Sequence, residues 1–433
     1  MTGRACFWHV SHTACCVGGV VVIVGALVCP AGCDRRPPSG TAARPDAGSA
    51  ASAPASLDRA IRVVILDQVS RCSVTASSAF DLLDAQTRRP LVRSAPAGDL
   101  SVIFDAGEIR FSSPARSFKT RAVDLVPHGN RPVELQVGDE RRRLQGSLRF
   151  LRRPPNGGAV LNVLDIEDYL VGVVSAELPR NFDRQAFRAQ AITARSYAWY
   201  EKQTAGRTRD WDVWATEKSQ VYLGLDHQEK VPEAARAVAD TRGLVCTWAS
   251  PQGQRIFCTY YSSTCGGSTQ AAGPVKNEPI IPPLAGNVRC DYCRDSPAYR
   301  WGPVRLDKRL ITERLAEHYQ AFATIGPIES LEVIEKTTTG RPVRLALGDA
   351  DGRTIELEAE NFRLAVDPTG RILRSTFFTP VVEKDAIVFT AGKGFGHGLG
   401  LCQYGSDALA RAGQDAAAIL RFYYPTSRLS RAY

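Results

Sequence analysis

The chain has 433 residues, 44% hydrophobic and 23% charged. That is enough apolar side chain and length for one large or two smaller globular units, which excludes a chain disordered throughout. A formal net charge of +9 suits attraction to anionic polymers or lipid headgroups, but no nucleic-acid motif or basic stripe accompanies it, so nucleic acid is excluded as the partner.

Arg4 and His9 precede an apolar run from Val17 to Val28, too short to span a bilayer comfortably and suited to the h-region of a signal peptide. Residues 1–33 are therefore read as an export signal. Pro30–Ala31–Gly32–Cys33 resembles a lipoprotein cleavage box, with proline in place of the usual leucine-like residue. Cys33 is a candidate lipidation site, and ordinary cleavage further along is the alternative. Residues 34–57 carry almost no large apolar side chains and read as a flexible tether, as a membrane-anchored protein needs. A folded domain is expected over 58–433. It opens with short β-rich runs at Ile61–Leu66, Leu100–Phe104, Val123–Val126, Val133–Val137 and Leu148–Leu151.

Over 161–200 the pattern turns helical. Leu164, Ile166, Leu170, Val173 and Val174 recur at helical intervals, and Pro179 stops the run, so Glu177 falls where a helix ends. Asn181 or Asp183 can cap a second helix, with Ala186, Gln190, Ala194 and Tyr197 on one stripe. Its alanines let another element approach closely, and Arg188 and Arg195 share a face. The spacing leaves two readings of Glu177: a surface acid at a helix end, or an acid meeting an arginine in a cleft. The fold class expected is α+β, a mixed, β-rich domain with a central helical pair carrying Glu177.

Beyond the pair, WDVWATEKSQVYLG brings Trp211, Trp214, Gln220 and Tyr222 into one segment. Aromatic faces with flanking amides suit sugar rings, though each tryptophan also reads as a core anchor. A short helix over Glu233–Ala239 and a hairpin of Leu244–Trp248 with Arg255–Tyr261 follow. Next come Ser262 and Ser263, whose hydroxyls can face a glycan, and the Gly266–Gly267 turn. Cys265 with the Cys290–Cys293 CxxC pair is a metal-site candidate, three thiolates that can share one tetrahedral zinc. Disulfides are the alternative: Cys265 to one of the CxxC pair, and Cys246 to Cys258. A helix around Leu310–Phe322 and strands at Leu331–Glu335, Val343–Leu347 and Thr354–Leu357 lead to a loop. In it Gly392, Gly394, Gly396, Gly398 and Gly400 alternate with Lys393, Phe395, His397 and Leu399, and Cys402, Gln403 and Tyr404 follow. No phosphate-loop G-K-[ST] is present. A helix over Ala408–Phe422 closes the chain.

Several of these stretches together resemble the SpoIID/LytB family of bacterial cell-wall proteins, named after sporulation stage II protein D. EDYLVGVVSAELP with AFRAQAITARSYAWY, the S-Q-x-Y segment, Tyr261 to Gly267 and LEAENFRLAVDPTGRILRSTFF before the glycine loop agree in order. The resemblance covers roughly 60–433. It implies a peptidoglycan lytic transglycosylase acting on glycan strands, with Glu177 at the family's catalytic glutamate. That chemistry needs one acid/base where an ordinary glycosidase needs two carboxylates, and it needs no cofactor. The resemblance equally admits a non-catalytic enhancer of an N-acetylmuramoyl-L-alanine amidase, bound to peptidoglycan. On either reading the protein is exported to the cell envelope. Arg195 is expected to hold substrate or orient Glu177; Gln220, Tyr222, Ser262, Ser263, His397, Gln403 and Tyr404 are expected to contact the glycan, with the glycine loop against Glu177. Some family members carry a zinc near the Cys265 turn, bound partly by a histidine, whose place Ser262 takes here, so the resemblance implies Cys258 or water as the fourth ligand.

Overall fold

Alternating apolar and polar residues drive the first strands of the folded region into two sheets. The structure is a computed structural model, and it describes residues 58–105, 107–112, 117–153, 157–276 and 279–433. The expected export signal, Cys33 and the tether lie outside them. The strands are β1 Ala60–Val69, β2 Arg71–Ala76, β3 Phe80–Asp84, β4 Pro90–Ala95, β5 Gly98–Phe104, β6 Ile109–Ser112, β7 Ser117–Thr120, β8 Ala122–Pro127, β9 Val133–Val137, β10 Glu140–Leu144, β11 Ser147–Arg153 and β12 Gly157–Asp165. With β13, Val213–Trp214, they pair in the orders β13-β1-β12-β11-β8-β3-β4 and β10-β9-β2-β5-β6-β7.

Val74, Val102 and Phe111 from the second sheet and Val123, Leu125, Leu148 and Phe150 from the first are all buried in one apolar cluster. Phe111 meets Phe150 edge-on at 5.3 Å across the two sheets. Gly158 in β12 makes that closeness possible, because a Cβ there would stand 1.8 Å from the Phe104 ring.

β12 feeds directly into the helical pair. Asp165 ends the strand and caps α1, Ile166–Glu177, by accepting from Glu167 N at 2.9 Å. Leu178 and Pro179 end α1, as the sequence leads one to expect. Asp183, one of the two expected caps, accepts from Gln185 N at 2.7 Å and starts α2, Arg184–Gln203. Ala186, Ala189, Ala191, Ala194 and Ala198 of α2 are fully buried, and α2 packs against α1, against the helices Pro232–Asp240, Gln403–Arg411 and Ala416–Tyr423, and against the strand Leu244–Ser250.

Residues Arg59–Tyr433 hold together as one unit with two main apolar clusters. The second is built from Leu306, Ile311, Leu315, Ile328, Leu345, Leu347, Phe362 and Phe389. Strands Ile328–Lys336, Pro342–Asp349 and Thr354–Glu358 form one of its sheets, and Val304–Asp307, Ala386–Thr390 and Thr379–Val382 another. The α+β class expected from sequence holds. Three boundaries differ. The hairpin stops pairing at Ile256. The helix expected to reach Phe322 ends at His318 and continues as a 3₁₀ turn, Gln320–Ala323. The C-terminal helix is two, Gln403–Arg411 and Ala416–Tyr423, because Gly413 between them adopts φ +88°. No helix among the described residues is long and apolar enough to cross a membrane.

The Gly158–Phe104 contact is testable. Gly158→Ala should destabilise the fold by about 1–3 kcal/mol through overpacking. Gly107→Ala, where a Cβ meets nothing within 4 Å, should leave the denaturant midpoint nearly unchanged; equal effects at both positions would refute the steric account.

Candidate active site

Glu177 is the last residue of α1, so its side chain leaves the helix just where the chain breaks. Three segments distant in sequence converge on it. Val221 N donates to Oε1 at 3.0 Å, the Tyr261 hydroxyl donates to Oε1 at 3.0 Å, and Gln403 Nε2 donates to Oε2 at 3.3 Å from 226 residues away. The glycine loop therefore reaches Glu177 through Gln403. Burial pushes the Glu177 carboxyl above its ordinary range; the three hydrogen bonds pull it back in part, and the like charge of Glu217 adds a smaller push. With two donors on Oε1, the acidic proton belongs on Oε2.

A buried relay fixes Tyr261. Gln220 Nε2 donates to the Tyr261 hydroxyl at 3.2 Å and to Ala194 O at 3.3 Å, while the Tyr169 hydroxyl donates to Gln220 Oε1 at 3.2 Å. Gln220 is fully buried. It orients Tyr261, and the expectation that it contacts a glycan is corrected. Tyr222 is corrected likewise: it is 2% exposed, its hydroxyl donates to Asn162 Oδ1 at 3.0 Å, and its ring packs on Tyr169 at 5.3 Å.

Arg195 requires the largest correction. It is fully buried and faces Glu167, with Nε donating to Oε1 at 2.9 Å and Nη2 to Oε2 at 2.7 Å. Its remaining donors go to Leu244 O, Val238 O and Thr241 Oγ1. Glu167 also accepts from Gly243 N at 3.2 Å and from the Tyr433 hydroxyl. Burial raises the Glu167 carboxyl, but Arg195 first and then Tyr433 and Gly243 outweigh it and hold it below its ordinary range. Glu177 is not among this arginine's partners. Arg188, on the same face, lies 4.0 Å from Asp240.

The glycine loop is threaded beside residues 260–265. Phe395 N donates to Thr264 O, Leu401 N to Tyr260 O and Tyr404 N to Ser263 O, and Leu401–Cys402 pairs in parallel with Tyr261–Ser262. Gly394, Gly396, Gly398 and Gly400 all have positive φ, 60° to 89°, which turns every second residue of the loop. Tyr404 packs edge-on against Phe182 at 5.1 Å. Ser262 is 7% exposed, and its hydroxyl has no partner among the described residues; the Ser263 hydroxyl lies 3.4 Å from Thr264 Oγ1. His397 makes none of the contacts to Glu177. It lines an opening with Pro274, Val275, Pro342, Val343, Glu358, Glu360 and Thr376. Its Nδ1 accepts from Leu399 N at 2.9 Å, so the proton sits on Nε2. Burial first, and Lys276 second, push its pKa down to about 3, leaving it neutral. Trp211 and Trp214 pack together at 6.0 Å beneath Arg153 and Lys218.

Cys265, Cys290, Cys293 and Cys402 are buried with their sulfurs all within 4.8 Å of one another. The fourth sulfur is Cys402, not Cys258, and no disulfide joins Cys246 to Cys258. Sequence reasoning missed Cys402, Tyr261 and Glu167. Cys402 stood out only as a cysteine inside the glycine loop, and Tyr261 only as part of a quoted motif; no spacing signal tied Glu167 to Arg195.

Among known proteins, residues 156–248, which hold both α1 and α2, match the family model described as Stage II sporulation protein. Residues 287–400 match a domain of unknown function. An uncharacterized protein of Brachyspira hyodysenteriae is 32% identical over 280 residues, 64% of this chain and 70% of that protein. The chain belongs to the SpoIID family. Stage II sporulation protein D of Bacillus subtilis is 26% identical over 281 residues, 62% of this chain and 75% of that protein. The amidase enhancer of the same species is 26% identical over 305 residues, 60% of this chain but 40% of that longer relative. The SpoIID match spans Glu177 and Gln220, while the sulfur cluster lies beyond it.

Removing Arg195 alone would strand a buried carboxylate. Arg195→Met should cost about 3–5 kcal/mol, and the Glu167→Gln, Arg195→Met double variant should recover a large part of it. The depressed Glu167 carboxyl supplies stability that is present above its unfolded value near 4.5 and lost as pH falls through the folded value. Wild type should therefore lose more stability than the double variant on acidification below that range. Denaturant unfolding across pH measures both, and additive single effects would refute the pairing.

Proposed function

We propose that the chain is a lytic transglycosylase that cleaves peptidoglycan glycan strands with Glu177 as single acid and base. The observation that carries this reading is a carboxyl that desolvation pushes above its ordinary range, held by three neutral donors, with no cation among its hydrogen-bond partners in the described residues. Such a group gives its proton from Oε2 to the leaving glycosidic oxygen. The carboxylate so formed takes the proton of the sugar's own C6 hydroxyl as that oxygen attacks the anomeric carbon. Both protons pass through one residue, so the reaction is proton-neutral overall and needs no water. Val221 N and the Tyr261 hydroxyl stabilise the transient carboxylate on Oε1. Gln403, which bonds Glu177, and Tyr404 and Ser263, joined by Tyr404 N donating to Ser263 O, are candidate glycan contacts, and His397 offers a neutral donor earlier in the loop. The net charge of +9 favours approach to an anionic wall. Export through residues 1–33, lipidation of Cys33 and a tether over 34–57 belong to the same proposal, as does a single catalytic domain over 58–433.

The similarity to a protein named amidase enhancer favours a second reading, in which the chain binds peptidoglycan or an N-acetylmuramoyl-L-alanine amidase without turnover. Release of anhydro-ended muropeptides from glycan strands by the purified chain separates the two.

On the first reading Glu177→Gln should abolish that release, by at least about 100-fold. It should also keep or raise the melting temperature at neutral pH, because a carboxyl with a raised folded-state value loses stability as pH climbs past its unfolded value. Tyr261→Phe removes a bond that favours the carboxylate, so the alkaline limb of the pH–rate profile should move to higher pH. Retention of most activity by the Gln variant would remove Glu177 from the chemistry.

A further inference from the structure

Three hydrogen bonds in series run from the core to Glu177, and chemistry permits each of them one direction. Ala194 O, a backbone carbonyl, can only accept, so the Gln220 atom 3.3 Å from it is Nε2. That turns Oε1 toward Tyr169, whose hydroxyl must donate to it, at 3.2 Å. The second Nε2 proton then goes to the Tyr261 oxygen at 3.2 Å, which leaves Tyr261 its own proton for Glu177 Oε1 at 3.0 Å. Turning the Gln220 amide over would set its oxygen against the Ala194 carbonyl. Both residues are fully buried, so two acceptors would face each other in the core.

The dipeptide Gln220–Val221 covers Glu177 Oε1 twice. Val221 N donates to it directly, at 3.0 Å, and Gln220 acts on it through Tyr261. Oε2 meets Gln403 Nε2 at 3.3 Å. A backbone N–H cannot turn away, and the Tyr261 hydroxyl cannot either while Gln220 donates to its oxygen. Without that donation the hydroxyl would be free to rotate and to accept from a proton on Oε1, and the two carboxyl oxygens would share the proton. Tyr169 lies on α1 with Glu177, and Ala194 lies on α2. The packing of the helical pair therefore sets the direction of the series.

We propose that Gln220 is a positioning residue for the acid: its amide, locked by the Ala194 carbonyl, holds the Tyr261 hydroxyl as a one-way donor to Glu177 Oε1 and so confines the exchangeable proton to Oε2. Its use in catalysis rests on the transglycosylase reading; the placement of the proton does not. On that reading the leaving glycosidic oxygen meets Glu177 on the Oε2 side, beside Gln403, and the C6 hydroxyl returns its proton to the same oxygen. When the proton departs, both donors already point at Oε1 and neither has to turn, so the carboxylate forms without reorganisation around it.

The test reads the Glu177 carboxyl in the full chain without glycan. Carbon-13 labelling at glutamate Cδ gives titrating NMR signals, and the one lost in Glu177→Gln is that of Glu177. Gln220→Met, of similar length and without hydrogen-bonding groups, should move this titration to higher pH by about half a unit or more, because the protonated form gains Tyr261 as an acceptor. In the Tyr261→Phe background the same substitution should add almost nothing, as a residue acting through Tyr261 requires. A lower melting temperature with an unmoved titration, or an equal shift in that background, would overturn the proposal and leave Gln220 a core residue. If Gln220→Met does not fold, Gln220→Glu replaces it. Its oxygen draws the Tyr261 proton away from Glu177, so the titration should rise, and the rise should shrink by half or more in the Tyr261→Phe background; an undiminished rise reports only the added charge and overturns the proposal. On glycan strands Gln220→Met should move the alkaline limb of the kcat profile to higher pH with KM held. Absence of any glycan release would overturn the transglycosylase reading alone, since the titration decides the placement of the proton.

Discussion

A carboxyl can stay protonated near neutral pH only if no free cation stabilises its anion, and the Glu167–Arg195 pair meets that condition. Both residues belong to the helical pair whose first helix ends in Glu177, and Arg195 is oriented so that its donors go to Glu167 and to backbone carbonyls. One helix, α1, thus carries two acids whose surroundings push them in opposite directions: Glu167 down, Glu177 up. On the proposed reading, environments that separate two carboxyls in this way leave one to stability and one to chemistry. The pair also reaches the chain's end through Tyr433, tying the terminal strand Arg428–Arg431 to the helical pair.

The second constraint is the path of the glycine loop. Its alternating positive φ lets the backbone lie against residues 260–265 with its amides donating in turn to Arg374, Tyr260 and Ser263 carbonyls. A loop so rich in glycine loses much backbone entropy on ordering, and hydrogen bonds from the turn between strands Ile328–Lys336 and Pro342–Asp349 offset part of that cost. Thr337 and Thr339 donate to Gln270 Oε1 at 2.7 and 2.6 Å, Gln270 N donates to Gly398 O, and Arg341 reaches Gly396 O. The region that matches a domain of unknown function therefore has a physical role here: it holds the loop that holds Gln403.

Legibility in the sequence followed the range of the interaction. The helix break at Pro179, the Asp183 cap, the buried alanines of α2 and most strand positions rest on local periodicity and backbone stereochemistry, which a single sequence carries. The convergence on Glu177 was legible only through the family resemblance, because Val221, Tyr261 and Gln403 meet by tertiary packing. Arg195 shows the reverse failure. An arginine on a helix face near a candidate acid invites a cleft role, yet its true partner was ten residues earlier on α1 than the acid it was assigned to. Gln220 and Tyr222 failed for a related reason: motif residues that look like glycan contacts instead build the wall behind Tyr261. Cys402 was visible as an odd residue in a glycine loop, but only the fold brings it to Cys265.

The energetics of Glu177 bear on whether the family member at hand acts or only binds. Desolvating a carboxyl and leaving it without a cation works against folding at any pH where the unfolded chain would ionise it. Around it the protein places three donors, one of them oriented by a buried relay of Gln220 and Tyr169. A surface that served only to dock a partner gains nothing from this; glutamine at the same point would accept the same two bonds on one oxygen without the desolvated charge. On the proposed reading the arrangement serves a group that holds a proton, loses it and regains it within one turnover. The Oε1 donors then stabilise the intermediate carboxylate, while Oε2, bound only by a long contact from the glycine loop, stays free to exchange its proton.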